Sequence, residues 1–437
     1  MWRLDPKKQF ADKFLRLNDD SGPTLFRGAE IIDGTGRERR RADVLISGQR
    51  VTAVGTFSEA QAAGARIVEC AGATIVPGFI DAHVHFNGEM TGDPYKRYLW
   101  PDDRVRTLRA ALHAYAFLEA GFTTVRDCGI TGAGYALRFA INSGMIAGPR
   151  IFTAGPGISA TGGQGDWFVL PLPLVRELRP VGLLADGPDE VRRAVREVAR
   201  QGADLIKVRV SHSQLPLLSE WPPVPVYTVE EISAAVDEAH SRRLRVAAHA
   251  HGAVSIRRAV EAGVDTIEHG VILPDEDPEP VLALMAERGV ILVPTLAVYY
   301  HTVHTYRQFG LSDIGIERGR ILLERSPLLI ESAKRNGVRI ALGTDTSSRG
   351  GVGDNAREFV LLSQMGLTAM EALVAGTKVA AEAIGIEKDL GTLEPGKLAD
   401  LLILEHNPLD RIETLLDPEN FRLIVKADEP VSTKWQR

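Results

Sequence analysis

Two histidines, two residues apart, end an apolar stretch in the first quarter of the chain, Thr-Ile-Val-Pro-Gly-Phe-Ile-Asp-Ala-His-Val-His-Phe. Because side chains alternate between the faces of a strand, His83 and His85 point to one side and Val84 points to the other. Imidazole is the commonest metal ligand at neutral pH. The pair is typical of a strand that delivers two nitrogens to one ion, although two ordinary histidines at a strand end would give the same pattern.

Four further residues of metal-binding type lie in or directly after predicted strands. Lys207 is inside the apolar run Leu-Ile-Lys-Val, His249 and His269 follow the next two strands, and Asp345 follows the last. Each has an ordinary alternative role: a lysine paired with a buried acid, a satisfied histidine, or a helix N-cap. Their common position at the strand ends of one predicted sheet favours a metal centre over six separate structural roles.

The rest of the chain repeats one unit: an amphipathic helix, a glycine and a short apolar strand. In one example the helix predicted over residues 189–201 is followed by Gly202 and a strand from Asp204. Thr228 and Glu231 have the spacing of a capping box at the start of the next helix. This repeat is typical of a parallel sheet with crossover helices. Eight strands are predicted, beginning at Ile75, Thr123, Arg150, Asp204, Arg245, Asp265, Ile291 and Val338.

Eight strands without a dinucleotide-binding glycine motif favour an α/β fold of the (β/α)8 TIM-barrel type over an open sheet. Residues 25–55 contain short β-type runs, and β character returns after residue 390. We therefore expect residues 1–74 plus 390–437 to form a small β-sandwich domain and residues 75–389 to form the barrel. Barrel enzymes carry their catalytic groups at the C-terminal ends of the strands, where the six residues are predicted to lie.

The composition limits the partners and the location of the protein. The 437 residues are 44% hydrophobic and 25% charged, with a formal charge of −6, which argues against a nucleic-acid or anionic-membrane partner. Two cysteines, Cys70 and Cys128, cannot supply a disulfide framework. We see no secretory signal and no apolar stretch of about 18 residues that would span a membrane. We expect a cytoplasmic homo-oligomer that acts on a small-molecule substrate and binds neither nucleic acid nor membrane.

Short motifs spread from residue 25 to about residue 410 give the chain a specific resemblance. In order they are Val-Pro-Gly-Phe-Ile-Asp-Ala-His-Val-His, Gly-Phe-Thr-Thr-Val-Arg-Asp, Gly-Pro-Arg-Ile, Ala-Ala-His-Ala-His-Gly, Thr-Ile-Glu-His-Gly, Gly-Thr-Asp and Leu-Glu-Pro-Gly-Lys-Leu-Ala-Asp-Leu. With this order and spacing the chain resembles the amidohydrolase superfamily. Within it, the chain is most similar to the binuclear, imidazolonepropionase-like group that includes Xaa-Pro dipeptidases and ochratoxin-type amidases.

The resemblance implies a centre of two divalent metal ions. The two histidines of the opening motif would bind the first ion, and the two later histidines would bind the second. The lysine would be carboxylated and bridge both ions, and the aspartate would complete the first site. Zinc suits these ligands best, and manganese or cobalt would also fit. The implied ligands are His83, His85, Lys207, His249, His269 and Asp345.

These residue types suit amide hydrolysis. A lysine captures carbon dioxide only as a neutral amine, so Lys207 must be buried where its pKa falls. Two bridged ions lower the pKa of a shared water and supply hydroxide at neutral pH. Asp345 is placed to take the proton and give it to the leaving nitrogen. His251 lies on the same strand face as His249, and it either assists the substrate or supports a ligand; both roles stay open.

The chain departs from the group's pattern around the substrate. Relatives often carry Gly-Gly-His-Gly-Asp after the third strand, but Gln164 replaces that histidine, and residues 211–213 are Ser-His-Ser where relatives show Ser-Gly-Gly. The substrate contacts therefore do not carry over. Tyr227, Arg209 and His212 are candidates for holding a substrate carboxylate or ring, and packing is the alternative role for each.

The leading hypothesis is a metal-dependent hydrolase that uses a metal-bridging hydroxide to cleave an amide-type C–N bond in an N-acyl amino acid, a dipeptide or an aryl amide. Carbamate, ester, cyclic-amide and phosphotriester substrates stay open because the same hydroxide would serve. A mononuclear deaminase is disfavoured, because Lys207 is present and Gly252 stands where such enzymes carry a glutamate. A non-catalytic scaffold is disfavoured because no ligand residue is missing.

Overall fold

The computed structural model describes residues 13–86, 103–167, 170–213, 223–346, 351–429, 431 and 433. Among the helices of these residues, none combines the length and the apolar composition that crossing a membrane requires. The described strands are β1 (Phe14–Leu17), β2 (Thr24–Ile31), β3 (Arg40–Ser47), β4 (Arg50–Gly55), β5 (Arg66–Glu69), β6 (Thr74–Pro77), β7 (Phe79–Val84), β8 (Phe122–Asp127), β9 (Arg150–Thr153), β10 (Ile158–Ser159), β11 (Leu183–Leu184), β12 (Leu205–Arg209), β13 (Arg245–Ala250), β14 (Thr266–His269), β15 (Ile291–Val293), β16 (Leu401–Leu404) and β17 (Phe421–Ala427). The described α-helices are α1 (Asp103–Glu119), α2 (Ala133–Asn142), α3 (Leu172–Leu178), α4 (Gly187–Arg200), α5 (Val229–Ser241), α6 (Ala253–Glu261), α7 (Glu279–Arg288), α8 (Leu296–His304), α9 (Asp313–Arg335), α10 (Arg357–Gln364), α11 (Ala369–Val374) and α12 (Ala380–Ile384).

Strands from both ends of the chain share one sheet. Its order is β1-β17-β16-β6-β2-β3-β4, with β5 paired to β2, which gives eight strands within the described ranges. β16 runs antiparallel to β6, with Leu401 opposite Pro77, and β1 runs parallel to β17, with Phe14 opposite Ile424. The expected pairing of the tail with the opening β segment is therefore present. The second layer of a sandwich stays a prediction.

The remaining strands form two parallel sheets. β7, β8 and β9 make a three-stranded sheet, and β11-β10-β12-β13-β14-β15 make a six-stranded one. β9 and β10 are consecutive in the chain but lie in different sheets. Isolated parallel bridges join Leu292 to Ile340 and Val84 to Thr346. In the part of the chain that the structure describes, these sheets do not close into one continuous barrel.

Two predicted strands differ in the structure. The run predicted as one strand from Ile75 is divided, because β6 joins the sheet of the chain ends whereas the parallel sheet begins with β7 at Phe79. Gly78 lies at the division and donates its amide to the carbonyl oxygen of Asp400 at 2.8 Å. The strand predicted from Val338 is present only as an isolated bridge. An apolar run indicates burial but does not identify the pairing partner. Hydrophobic periodicity therefore predicted neither the division of the first strand nor the reduction of the last strand to a single bridge.

Gly78 is sterically required at this division. A Cβ atom there would lie 2.3 Å from Oγ1 and 2.8 Å from Cγ2 of Thr123, which is fully buried. We expect Gly78→Ala to lower the free energy of unfolding by about 1–3 kcal/mol, the cost of overpacking a core, in urea denaturation. Gly22→Ala is the control, because no atom lies within 4 Å of its Cβ position. An equal loss in both variants would contradict the steric explanation.

Helices cover the parallel sheets and fix the strands. α5 opens with the predicted capping box, in which Thr228 accepts from the Glu231 amide and the Glu231 side chain accepts from the Thr228 amide. The ring of Phe79 in β7 lies 5.7 Å from that of Phe122 in β8 and 4.7 Å from that of Phe359 in α10. This packing holds β7 and β8 against α10.

Candidate metal centre

Four of the six predicted ligand residues lie at the C-terminal end of a parallel strand or directly after it, one lies in the middle of β12, and one follows the isolated bridge at Ile340. The side chains of His85 and Asp345 are half-buried, and those of the other four residues are buried. In chain order, His83 is in β7, His85 follows β7, Lys207 is in β12, His249 is in β13, His269 ends β14 and Asp345 lies just before Thr346, which bridges back to β7.

The first group of ligands surrounds Asp345. His83, His269 and Asp345 each place one ligand atom within 4.8 Å of the others. The Nε2 atoms of His85 and His83 lie 3.1 and 3.7 Å from Oδ1 of Asp345. The Asp345 amide donates to the carbonyl oxygen of His83 at 2.7 Å, which fixes the segment against β7. Four of the six residues therefore converge here.

The histidines of β13 and β14 form a second group. The ring centroids of His249 and His269 are 4.6 Å apart, and that of His251 lies 4.7 Å from the first and 5.2 Å from the second. The ring of His269 is also 5.1 Å from that of His83, so it joins the two groups. Neither ring nitrogen of His251 has a hydrogen-bond partner among the described residues, although both are buried.

Lys207 supplies a buried amine beside these groups. Its Nζ has no hydrogen-bond partner within the described chain, contrary to the alternative of a lysine paired with a buried acid. Burial lowers the pKa of Lys207, and the neighbouring Cys128, Glu268 and Asp345 oppose that shift only in part. The amine is thereby moved toward its neutral form, which is the nucleophilic one.

The histidines are also held neutral. Burial lowers the pKa of His83 to about 4 and that of His251 to about 3. Burial, together with the neighbouring imidazoles and lysine, takes the pKa values of His249 and His269 well below their usual range. Neutral imidazole is the form that binds a metal ion.

These residues fit a metal site. Buried polar atoms normally have partners, yet His83 Nε2 and Lys207 Nζ have no hydrogen-bond partner among the residues described. The donors are imidazole nitrogens and a carboxylate, a set that suits zinc, manganese or cobalt. The backbone is strained at the same place, since His269 and Asp345 have φ angles of 69° and 53°, in the left-handed region that residues other than glycine rarely adopt.

A model of the amidohydrolase family matches residues 74–431. The chain belongs to the amidohydrolase family. An ochratoxinase of Aspergillus niger is 32% identical over 421 residues, which are 92% of this chain and 85% of the relative. The crystal structure of A. niger ochratoxinase, at 29% identity, matches 93% of this chain and 95% of its own with a TM-score of 0.83. A Xaa-Pro dipeptidase with methionine bound in its active site, at 31% identity, matches 93% of this chain and 100% of its own with a TM-score of 0.81.

The family settles the general activity. This amidohydrolase is a hydrolase that acts on amide-type C–N bonds of small molecules, and its fold is TIM-barrel-like. Amidohydrolases generally use a metal centre, and the described residues contain candidate ligand groups for one. The expected family and the expected class of reaction are confirmed.

Glu268 is a site residue that the sequence analysis did not assign. Its Oε2 lies 2.6 Å from Nδ1 of His83, its Oε1 accepts from Nη2 of Arg126 at 2.7 Å, and the Thr266 hydroxyl also donates to it. A carboxylate on the Nδ1 side of the ring leaves Nε2 free for an ion. Glu268 pairs in register with His249 and therefore faces the same side of the sheet, whereas the left-handed φ of His269 interrupts the strand alternation. The motif Thr-Ile-Glu-His-Gly alone therefore gave no signal for the role of Glu268.

Arg126 is the buried cation of the amidohydrolase site. It is 1% exposed and pairs with the fully buried Glu268. We expect Arg126→Met to lower the free energy of unfolding of the metal-free protein by about 3–5 kcal/mol, because the carboxylate keeps its burial and loses its cation. Chemical denaturation measures this loss. The exposed pair of Arg27 with Glu69 is the control, and Arg27→Met should leave the free energy of unfolding near that of the wild type, because exposed ion pairs contribute little; a similar loss in both would contradict the assignment.

The residues considered for substrate contact are engaged elsewhere. The Tyr227 hydroxyl donates to the carbonyl oxygen of Ala185 at 2.8 Å. Nε2 of His212 lies 2.8 Å from the carbonyl oxygen of Gly162. The guanidinium of Arg209 packs against the backbone of neighbouring glycines. These contacts agree with the packing alternative for all three residues.

Proposed function

We propose that this amidohydrolase cleaves the amide bond of N-acyl amino acids or dipeptides at a centre of two divalent metal ions, with zinc as the first choice. The observation that carries the proposal is the convergence of His83, His269 and Asp345 beside the buried amine of Lys207. The substrate class follows the relatives, whose names refer to ochratoxin and to Xaa-Pro dipeptides.

The proposed ligand sets follow the two groups of side chains. His83, His85 and Asp345 would hold the first ion, and His249 and His269 the second. When bound, two such ions lower the pKa of a water between them and polarise the substrate carbonyl. The His269 ring lies close to both groups, which supports the proposal of one centre with two ions.

Lys207 would join the two ligand sets as a carbamate. The neutral Nζ adds to the carbon of carbon dioxide and releases one proton, which leaves an anion with two oxygen donors. The lowered pKa of the lysine favours the reactive amine. The carbamate would also give the buried nitrogen the partners that it lacks among the described residues.

Asp345 and His251 would act on the reacting atoms. Burial raises the pKa of Asp345, but the hydrogen bond from His85 opposes burial, and the pKa lies below its usual range. Asp345 is therefore a carboxylate that can take a proton from the attacking water and pass it to the leaving nitrogen. His251 would donate to the substrate or support a ligand.

We also propose the larger organisation expected from the sequence. The closed (β/α)8 barrel expected over residues 75–389 would begin at Phe79, because β6 belongs to the other sheet, and the bridges at Ile340 and Thr346 would complete its circuit. Residues 1–74 and 390–437 would form the flanking β domain around the sheet that both ends share. We propose a cytoplasmic homo-oligomer, and the mild acidity of the chain supports the absence of nucleic-acid and anionic-membrane partners.

Metal content and turnover test the proposed function together. Protein purified without added metal is analysed for its elements, stripped with a chelator, and reloaded with zinc, manganese or cobalt. We expect about two ions per chain and hydrolysis of N-acyl amino acids, Xaa-Pro dipeptides or ochratoxin that is lost on stripping and regained on reloading. One ion per chain would favour a deaminase. Two ions without amide turnover would exclude the substrate class, and turnover of esters or carbamates alone would replace it.

A further inference from the structure

One short segment at the start of α10 is linked to three of the proposed ligands through two intermediate residues, Asp81 and Thr295. It contains Asn355 and Glu358, which are both 0% exposed. Neither residue belongs to the proposed ligand set: Asn355 bonds to Asp81 in β7, and Glu358 bonds to the backbone that follows Thr295.

Glu358 holds the loop behind His269. Its Oε1 and Oε2 accept from the amides of Leu296 and Ala297 at 2.8 and 2.6 Å. These amides open α8, directly after Thr295, whose φ of 54° is left-handed. Such a conformation persists only where the surroundings hold it. Glu358 provides that restraint from the neighbouring helix.

Thr295 passes the restraint to the ligand. Its Oγ1 lies 2.7 Å from Nδ1 of His269. When that nitrogen carries the proton and donates to the hydroxyl, Nε2 keeps its lone pair for an ion. The Thr295 hydroxyl therefore fixes the orientation of the His269 ring, and it can accept from the tautomer that leaves Nε2 for an ion.

Asn355 holds the other two ligands through Asp81. Its Nδ2 donates to Oδ2 of Asp81 at 2.8 Å. Oδ1 of Asp81 accepts from the amides of His83 and Thr344 at 3.0 and 3.1 Å. His83 is itself a proposed ligand, and Thr344 directly precedes Asp345. One buried carboxyl group thus connects both ligand segments to the start of α10.

We propose that Asn355 and Glu358 are positioning residues that fix His83, His269 and Asp345, which would serve both proposed ions, in the geometry that binds metal. This inference rests on the metal centre proposed above and adds the residues that set its affinity. A purely structural role would lower stability alone. A positioning role lowers the affinity for the ion as well, because the ligands must then be ordered on binding.

The test measures zinc affinity of the metal-free protein by competition with a chromogenic chelator, together with its thermal unfolding. In Glu358→Gln the side-chain amide can accept from only one of the two backbone amides and opposes the other with its own donor. We expect zinc binding to weaken by about 10- to 100-fold, as when a residue supporting a metal ligand is lost. Asn355→Ala should weaken it in the same direction.

Glu231 offers a matched control. Its carboxylate also accepts from two backbone amides, those of Gly187 and Thr228 at 2.8 and 2.9 Å, but it touches none of the proposed ligand segments. Glu231→Gln should lower the melting temperature and leave zinc affinity unchanged.

The outcomes separate the two proposals. Wild-type affinity in folded Glu358→Gln would overturn the positioning role while the metal centre stands. If Glu358→Gln fails to fold, Asn355→Ala decides in the same way. An equal loss of zinc affinity in Glu231→Gln would assign the effect to general destabilisation and overturn the inference. Wild-type protein that binds no zinc, manganese or cobalt would overturn the proposed function and this inference with it.

Discussion

Lys207→Ala is expected to lower kcat/KM for the amide substrate by about 10³-fold, because a bridging ligand contributes several kcal/mol of transition-state stabilisation and each 1.4 kcal/mol is a factor of ten. Lys207 is 3% exposed, and its Nζ has no hydrogen-bond partner among the described residues. Removal of the side chain would leave two ions without their shared anion. Steady-state kinetics and elemental analysis of the same sample measure both losses.

A second buried lysine controls for the loss of a buried amine. Lys426 is 6% exposed, and burial lowers its pKa to about 8, but it lies in β17, in the sheet of the chain ends. Lys426→Met should change stability and leave metal content and kcat/KM near those of the wild type. Full amidase activity and two ions in Lys207→Ala would refute the carbamate.

Small carboxylates extend the test of Lys207. In Lys207→Ala, acetate or propionate can enter the space of the missing side chain and supply two oxygen donors. Partial recovery of activity with such an acid, and none with a neutral amide of the same size, would identify the bridging anion as the missing function. Reloading of stripped wild-type protein should likewise depend on bicarbonate.

The candidate ligand residues could be proposed from the sequence because their signals are local. His83 and His85 are two apart on one strand, and Lys207 is a polar residue inside an apolar run. Once the strands are predicted to be parallel, residues at their C-terminal ends are expected to lie close together, because these ends share one edge of the sheet. The distances around Asp345 show four of the predicted residues together.

The supporting residues were not predictable, because their roles depend on contacts distant in the sequence. Glu268 reaches His83 from 185 residues away. Glu358 reaches the amide of Leu296 across 62 residues. In the sequence, each is one acid among many, and nothing in the spacing names its partner. Each acid has an apolar neighbour on one side only, so the sequence does not mark either one as buried.

The predicted boundaries of the first strand were wrong for a related reason. Residues from Ile75 onward form one apolar run, yet Gly78 divides it between two sheets. The division depends on pairing with β16 from the far end of the chain. Hydrophobic periodicity reports how each residue is buried and contains no information about which strand lies beside it.

Asp345→Asn is the second change with a large expected effect. Loss of a positioned proton acceptor typically costs about 10²- to 10⁴-fold in kcat. The amide keeps the shape of the side chain and an oxygen that can still contact an ion, so metal content should fall less than turnover. Asp354→Asn is the control, since that half-buried carboxylate pairs with Arg357 and lies 3.4 Å from Nε2 of His301. It should keep most of the activity.

The leaving group distinguishes the proton-transfer role of Asp345 from a role in binding alone. An amide nitrogen must be protonated before it departs, whereas the oxygen of a nitrophenyl ester leaves as an anion. If Asp345 delivers that proton, Asp345→Asn should reduce amide hydrolysis far more than hydrolysis of an activated ester with the same acyl group. If Asp345 only holds an ion, both substrates should lose activity in parallel with metal content. Equal losses at full metal content would leave proton removal from the water, which both reactions need, as the only proton step that Asp345 performs.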